Sequence, residues 1–163
     1  MKTKEIKISI SEYEKLDELP ASDQELILKA RAVARNAYAP YSHYFVGSAI
    51  RLDDDSIITG NNQENASSPI GTCAERTALF WANANFPQLA VNTIVVTAID
   101  QNGDAAKNVS PCGACRQVML ETQHRFNKPM RVILDSRSKI EILDRVESLL
   151  PLNFNGNSLK SIV

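Results

Sequence analysis

Apolar and polar residues alternate almost from the start of the chain. In "EIKISI", Ile6, Ile8 and Ile10 recur at period two, which predicts a short edge strand or, equally, a loosely held extension. "SEYEKLDELP" then opens with a capping pair, Ser11 and Glu14, and predicts a short helix that stops near Pro20. The capping signal repeats at Ser22 and Glu25 in "SDQELILKARAVARNAYAP". There Leu26, Ala30, Val33 and Ala37 follow at helical spacing as a core-facing stripe, and Pro40 ends the pattern. Tyr44–Leu52 and Ser56–Asn61 flank the turn-like "DDD" and predict a hairpin of two strands. "GTCAERTALFWANANF" predicts an alanine-rich helix whose Ala74, Ala78, Trp81 and Ala82 share one packed face, with Trp81 in the core. "NTIVVTAID" and "MRVILD" read as strands. Between them "SPCGACRQVMLETQHRF" reads as a helix with Ser110 as N-cap and Pro111 at its first position. "KIEILDRVESLLPLNF" adds a short strand and a final helical turn. Strands alternating with helices, with no repeat or linker, predict one α/β or three-layer domain over residues 21–163, with residues 1–20 as an N-terminal extension packed on or near it.

Composition narrows the class of protein. A chain of 163 residues that is 44% hydrophobic can bury a full core without crosslinks, which argues against a disulfide scaffold. A formal net charge of −1 and no clustered basic residues exclude a nucleic-acid partner as the expectation. No run of roughly 18 apolar residues occurs, and "MKTKEIKISISEYEK" lacks the features of a secretory signal; the expectation is no membrane partner and a cytoplasmic location. In a reducing compartment an odd count of three cysteines points to a metal or to catalysis before it points to a disulfide.

All three cysteines sit at predicted helix starts. Cys73 precedes "AERTALF", while Cys112 and Cys115 lie in "PCGACRQ". Helix N-termini favour thiolate over thiol, and three thiolates, two of them from one C-x-x-C pair, suit tetrahedral zinc. The only histidines, His43 and His124, lie at no ligand-like spacing from a cysteine, so an open three-ligand site is favoured over a closed structural one. Zinc with three thiolates carries net negative charge, which Arg76 can offset by hydrogen-bonding to sulfur. Glu75, two residues after Cys73, can overhang the ion and move protons as one general acid and base. Rival readings are a zinc-stabilised interaction protein and a dithiol oxidoreductase.

The sequence resembles cytidine deaminase, the small homotetrameric zinc-dependent class. "APYSHYFVGSAI", "GNNQENASSPIGTCAERTALF", "PCGACRQ" and "LLPLNF" occur in family order from about residue 25 to 155. The resemblance implies an α/β/α sandwich with a mixed five-stranded sheet, and one zinc ion per subunit on Cys73, Cys112 and Cys115. It makes Glu75 the catalytic acid and base and Arg76 a support to the thiolates. Asn62 and Glu64 fall to the ribose, and Tyr44 and Ala74 to the substrate. The implied reaction is hydrolytic deamination of cytidine and deoxycytidine to uridine and deoxyuridine plus ammonia, in pyrimidine salvage. A deaminase of another aminated heterocycle, such as a nucleoside antibiotic, is the alternative. A homotetramer with shared active sites is also implied, with Phe154 either a wall of a neighbour's site or a core anchor. The chain departs from the family at Tyr44, where phenylalanine is usual, and at Ser68, where tyrosine is frequent.

Overall fold

A computed structural model describes residues 1–160. Its sheet consists of β1 (Ser11–Tyr13), β2 (Phe45–Leu52), β3 (Ile57–Asn61), β4 (Val91–Ile99), β5 (Arg131–Asp135) and β6 (Ile140–Leu143), in the order β1-β6-β5-β4-β2-β3. β4 and β5 run parallel and every other neighbouring pair is antiparallel. Helix α1 (Ala21–Ala34) covers one face; α2 (Ala74–Asn85) and α3 (Gly113–Phe126) cover the other. The expected α/β/α sandwich is present, with six strands in place of five. A short helix, α4 (Gly156–Lys160), follows in a tail that carries no sequence signal for it.

The sixth strand comes from the N-terminal extension, but not where the alternation predicts it. Residues 1–10 form no strand, and Ile6, Ile8 and Ile10 are exposed. The edge strand is Ser11–Tyr13, because only this segment reaches β6, pairing Ser11 with Ile142 and Tyr13 with Ile140. That pairing also removes the expected helix at Ser11; a single 3-10 turn, Leu16–Glu18, remains, and the Glu14 N–H is satisfied by the Glu18 carboxylate.

Side-chain alternation builds two cores. On β2, Ile50 and Leu52 face α2 and α3 together with Ile94, Val96 and Ala98 of β4. Ala49, Val95 and Ile133 face Leu26, Ile27 and Ala30 of α1. α1 starts one residue before Ser22, behind Pro20, and Ser22 is not its cap. Asp23 instead turns inward to a two-pronged contact with Arg131 at 2.9 and 3.1 Å. The helix ends at Ala34, which is buried, so Ala37 lies beyond it. In α2 the buried arc runs through Ala74, Glu75, Ala78, Leu79 and Ala82. Trp81 falls at its border and is 49% exposed, edge-on to Phe86, and is therefore not a core residue.

Two glycines set how closely helices approach the sheet. A Cβ on Gly47 would lie 2.1 Å from the Ala30 carbonyl oxygen of α1. One on Gly60 would lie 2.6 Å from both the Ala74 carbonyl oxygen and the Ala78 nitrogen of α2. Both helices pack backbone against backbone at these points.

Candidate active site

The N-cap of α2 is Cys73 and that of α3 is Cys112, so both helix starts present sulfur. α3 begins two residues later than Pro111 predicts. Arg116 holds the preceding segment outside the helix, donating from Nε to the Pro111 carbonyl at 2.9 Å and from Nη2 to Ser110 Oγ at 2.8 Å. Cys115, one turn into α3, is fully buried.

Cys73 Sγ and Cys112 Sγ are 4.0 Å apart, and all three sulfurs lie within 4.8 Å of one another. Tetrahedral zinc bonding sulfur at about 2.3 Å holds its sulfurs about 3.8 Å apart, so this triangle closes on one ion with small adjustment. Three soft donors with no fourth protein ligand suit zinc with an open position. Among the described residues this is the cluster of metal-ligating side chains, and neither histidine belongs to it. His124 instead faces Glu147 at 3.7 Å.

Charge at the cluster is uneven. Hydrogen bonds from Cys115 and from Arg76 pull the Cys73 thiol down to about 5, while the bond shared with Cys73 and then burial push Cys115 up. Arg76 Nη2 donates to Cys73 Sγ at 3.6 Å and to the Gly71 carbonyl at 3.3 Å. Glu75 is 3% exposed, and burial raises its carboxyl above the ordinary carboxylate range. A carboxyl so placed holds a proton more readily than an ordinary one, the direction that suits a group that both takes and gives protons.

These groups open into a cavity of about 270 Å³, with Glu75, Cys73 and Cys112 among polar lining residues and Val46, Val96, Ala98 and Val109 as apolar walls. Tyr44 lines it as well, half exposed, its hydroxyl donating to the Asn108 carbonyl at 3.4 Å. Burial and the nearby Glu75 raise the Tyr44 phenol, so it stays neutral. Asn62 and Glu64 stand where this cavity meets a second one of about 370 Å³, bordered by Ser68, Gly71 and Arg76. Glu64 is partly exposed, and hydrogen bonds from the Ser42 side chain and from the N–H groups of Tyr41 and Ser42 hold its carboxyl below the usual range. Ala74 is fully buried and lines neither cavity. Phe154 is 60% exposed, so it is no core anchor; its carbonyl accepts from Gln117. The apolar walls escape a motif search because they come from alternate positions of ordinary strands, and Asn108 carries no pattern at all.

An α/β/α domain that gathers three sulfurs and a buried carboxylate at two helix starts suits a zinc-dependent hydrolase. Residues 20–127 match the family model described as the cytidine and deoxycytidylate deaminase zinc-binding region, and the chain belongs to that family. Cytidine deaminase of Halalkalibacterium halodurans is 45% identical over 100 residues, 61% of this chain and 71% of that relative. A crystal structure of cytidine deaminase from Burkholderia pseudomallei superposes with a TM-score of 0.66 at 35% identity, covering 80% of this chain and 97% of the other. That of Mycobacterium tuberculosis gives 0.62 at 29% identity, with 83% and 99% covered. Among the described residues no helix is long and apolar enough to cross a membrane.

Proposed function

We propose that the protein deaminates cytidine and deoxycytidine hydrolytically, giving uridine or deoxyuridine and ammonia, and serves pyrimidine salvage in the cytoplasm as a homotetramer. The observation that carries this reading is the buried Glu75 carboxyl beside the three sulfurs in a cavity walled by apolar side chains and Tyr44. Cys73, Cys112 and Cys115 hold zinc, which when bound supplies a Lewis acid that lowers the pKa of water toward neutrality. Glu75 takes the proton released from water and delivers it to the ring nitrogen beside the reacting carbon. As the water oxygen bonds to that carbon a hydroxyl group forms there, and Glu75 then carries the hydroxyl proton to the amino group, so that the C–N bond breaks, ammonia leaves and the C–O bond becomes the carbonyl. Val46, Val96, Ala98 and Val109 exclude competing water, and Tyr44 packs on the base. Arg76 offsets thiolate charge that would otherwise keep water from ionising.

Free nucleoside is favoured over nucleotide, because the Glu64 carboxylate at the sugar end repels phosphate. Ammonia release from cytidine, deoxycytidine, cytidine monophosphate and adenosine tests the reading, with zinc measured on the same sample. Activity on the first two and not on the others is expected. Glu75→Gln should keep its zinc and lose at least about 100-fold in kcat, the range set by removal of a general acid and base. Full turnover in that variant would refute the mechanism.

A further inference from the structure

Both polar residues assigned to the sugar are bonded to one short segment, residues 41–46, which also carries the wall of the base cavity. Glu64 Oε2 accepts the N–H of Tyr41 at 2.9 Å and that of Ser42 at 3.3 Å. Asn62 Oδ1 accepts the N–H of Val46 at 2.8 Å, and its Nδ2 donates to the Tyr44 carbonyl at 2.9 Å. Between these anchor points His43 has φ 53°, a left-handed conformation that costs a non-glycine residue free energy on the order of 1 kcal/mol. Such a turn persists only where its surroundings hold it. Ser42 Oγ accepting the Tyr44 N–H and the Ala39 carbonyl accepting the His43 N–H contribute locally. The pairing of Phe45 with Ile99 and the bond from the Tyr44 hydroxyl to the Asn108 carbonyl hold its far side, and the two side chains beyond β3 bond its backbone directly.

We infer that Glu64 and Asn62 are positioning residues for the base as well as contacts for the sugar: they hold the strained turn at His43 that aims the Tyr44 ring into the cavity. The inference rests on the reading of the cavity as a nucleoside site. The hydrogen-bonding capacity of the pair allows both tasks. Oε1 of Glu64 takes neither of these N–H groups, and the Asn62 side chain keeps one N–H and one lone pair after its two backbone bonds are made. A carboxylate that merely touched a ligand would have no reason to accept two backbone N–H groups from 22 and 23 residues away. Sugar recognition and base recognition are therefore mechanically one unit, and removing the Glu64 oxygens disturbs a substrate that has no sugar hydroxyl to bind there.

The test compares wild type, Glu64→Ala and Glu64→Gln on 2′,3′-dideoxycytidine, which lacks the 2′- and 3′-hydroxyls, alongside cytidine. The amide oxygen of glutamine still accepts from Tyr41 and Ser42, so it restores the turn without the charge. Glu64→Ala should lower kcat/KM on the dideoxy substrate roughly tenfold or more, and Glu64→Gln should recover most of that loss. In a Tyr44→Ala background the further effect of Glu64→Ala should vanish. Hydrogen exchange of the Tyr41 and Ser42 amides and the NMR shifts of the Tyr44 ring supply a readout independent of turnover. Protection and ring shifts should be lost in Glu64→Ala and retained in Glu64→Gln. Unchanged ring shifts in Glu64→Ala, or dideoxycytidine kinetics indifferent to it, would overturn the inference. A wild-type protein inert toward cytidine would instead refute the functional reading and leave the NMR comparison to decide the clamp.

Discussion

Gly60→Ala separates the geometry of the metal site from the stability of the fold. An added Cβ would lie 2.6 Å from two backbone atoms of α2, the Ala74 oxygen and the Ala78 nitrogen, whereas ordinary contact begins at 3.4 Å. The difference, 3.4 − 2.6 = 0.8 Å, is the distance by which α2 must move off β3, since neither backbone atom can rotate aside. Cys73 is the N-cap of α2 and Glu75 its second residue, so both move with it, while Cys112 and Cys115 stay with α3. Zinc sites tolerate about ±0.2 Å in ligand distance, well under the imposed shift. Overpacking alone costs about 1–3 kcal/mol, and misplacing a catalytic group by about 1 Å costs about 100-fold in rate. Gly47→Ala is the control, because its Cβ would lie 2.1 Å from the Ala30 oxygen of α1, on the opposite face. Urea unfolding, zinc per chain and kcat/KM on cytidine should be measured for both variants. Both are expected to lose stability, but only Gly60→Ala should lose zinc affinity and turnover beyond its loss of folded protein. Equal zinc loss in the two, or full zinc and turnover in folded Gly60→Ala, would refute the argument.

Three further outcomes concern a buried ion pair and the charge on the cysteines. Arg31 donates to both oxygens of Asp135 at 2.7 and 2.8 Å, and Asp135 is 2% exposed and also accepts from Thr97. Arg31→Ala leaves that carboxylate buried without a cation and should cost about 3 kcal/mol in urea unfolding, the low end of the range because the Arg31 side chain is 43% exposed; a loss under about 1 kcal/mol would contradict it. In protein stripped of metal, Cys73, held near 5, should react with iodoacetamide at neutral pH far faster than Cys115, whose thiol is pushed up. Peptide mapping reads the ratio, and equal labelling would contradict the assigned charge distribution. The sign of the linked stability follows from the depressed Cys73 value: its contribution to the metal-free fold is fully present above the unfolded thiol value of about 8.5. It is lost as pH falls toward 5.

The hairpin and the thiolate site were legible in the sequence for a local reason. Tyr44–Leu52 and Ser56–Asn61 differ from β2 and β3 by one residue at a single end each, because alternation and the "DDD" turn act over a few residues. Cysteines before two helical patterns likewise need no distant partner to be noticed. Features that depend on partners far along the chain were not legible. "EIKISI" alternates as an edge strand should, yet the strand lies at Ser11–Tyr13 because register with Ile140–Ile142 decides it. Pro111 has the chemistry of a first helical residue, but Arg116 holds it outside. The dual bonding of Asn62 and Glu64 is invisible for the same reason: their motif gives a spacing, not the segment of chain they hold.

Sheet topology explains why such distant pieces meet. β3 and β4 each run antiparallel to the β2 between them and are therefore parallel to each other, and β4 is parallel to β5. The connections β3-α2-β4 and β4-α3-β5 are thus both parallel crossovers, and their helices lie on one face of the sheet. Each helix must begin at the carboxyl end of the strand before it, so Cys73 and Cys112 arrive at the same end of the sheet. β3 and β4 are two strand spacings apart, about 10 Å, which matches the distance between packed helices. Because β2 runs the other way, its amino end lies there too and delivers Tyr44, while Asn62 and Glu64 follow directly from the carboxyl end of β3. The three cysteines, Glu75, Tyr44 and the Asn62–Glu64 pair are thereby held by one strand order, and a one-residue slip between β2 and β3 would turn Gly60 away from α2 and pull them apart.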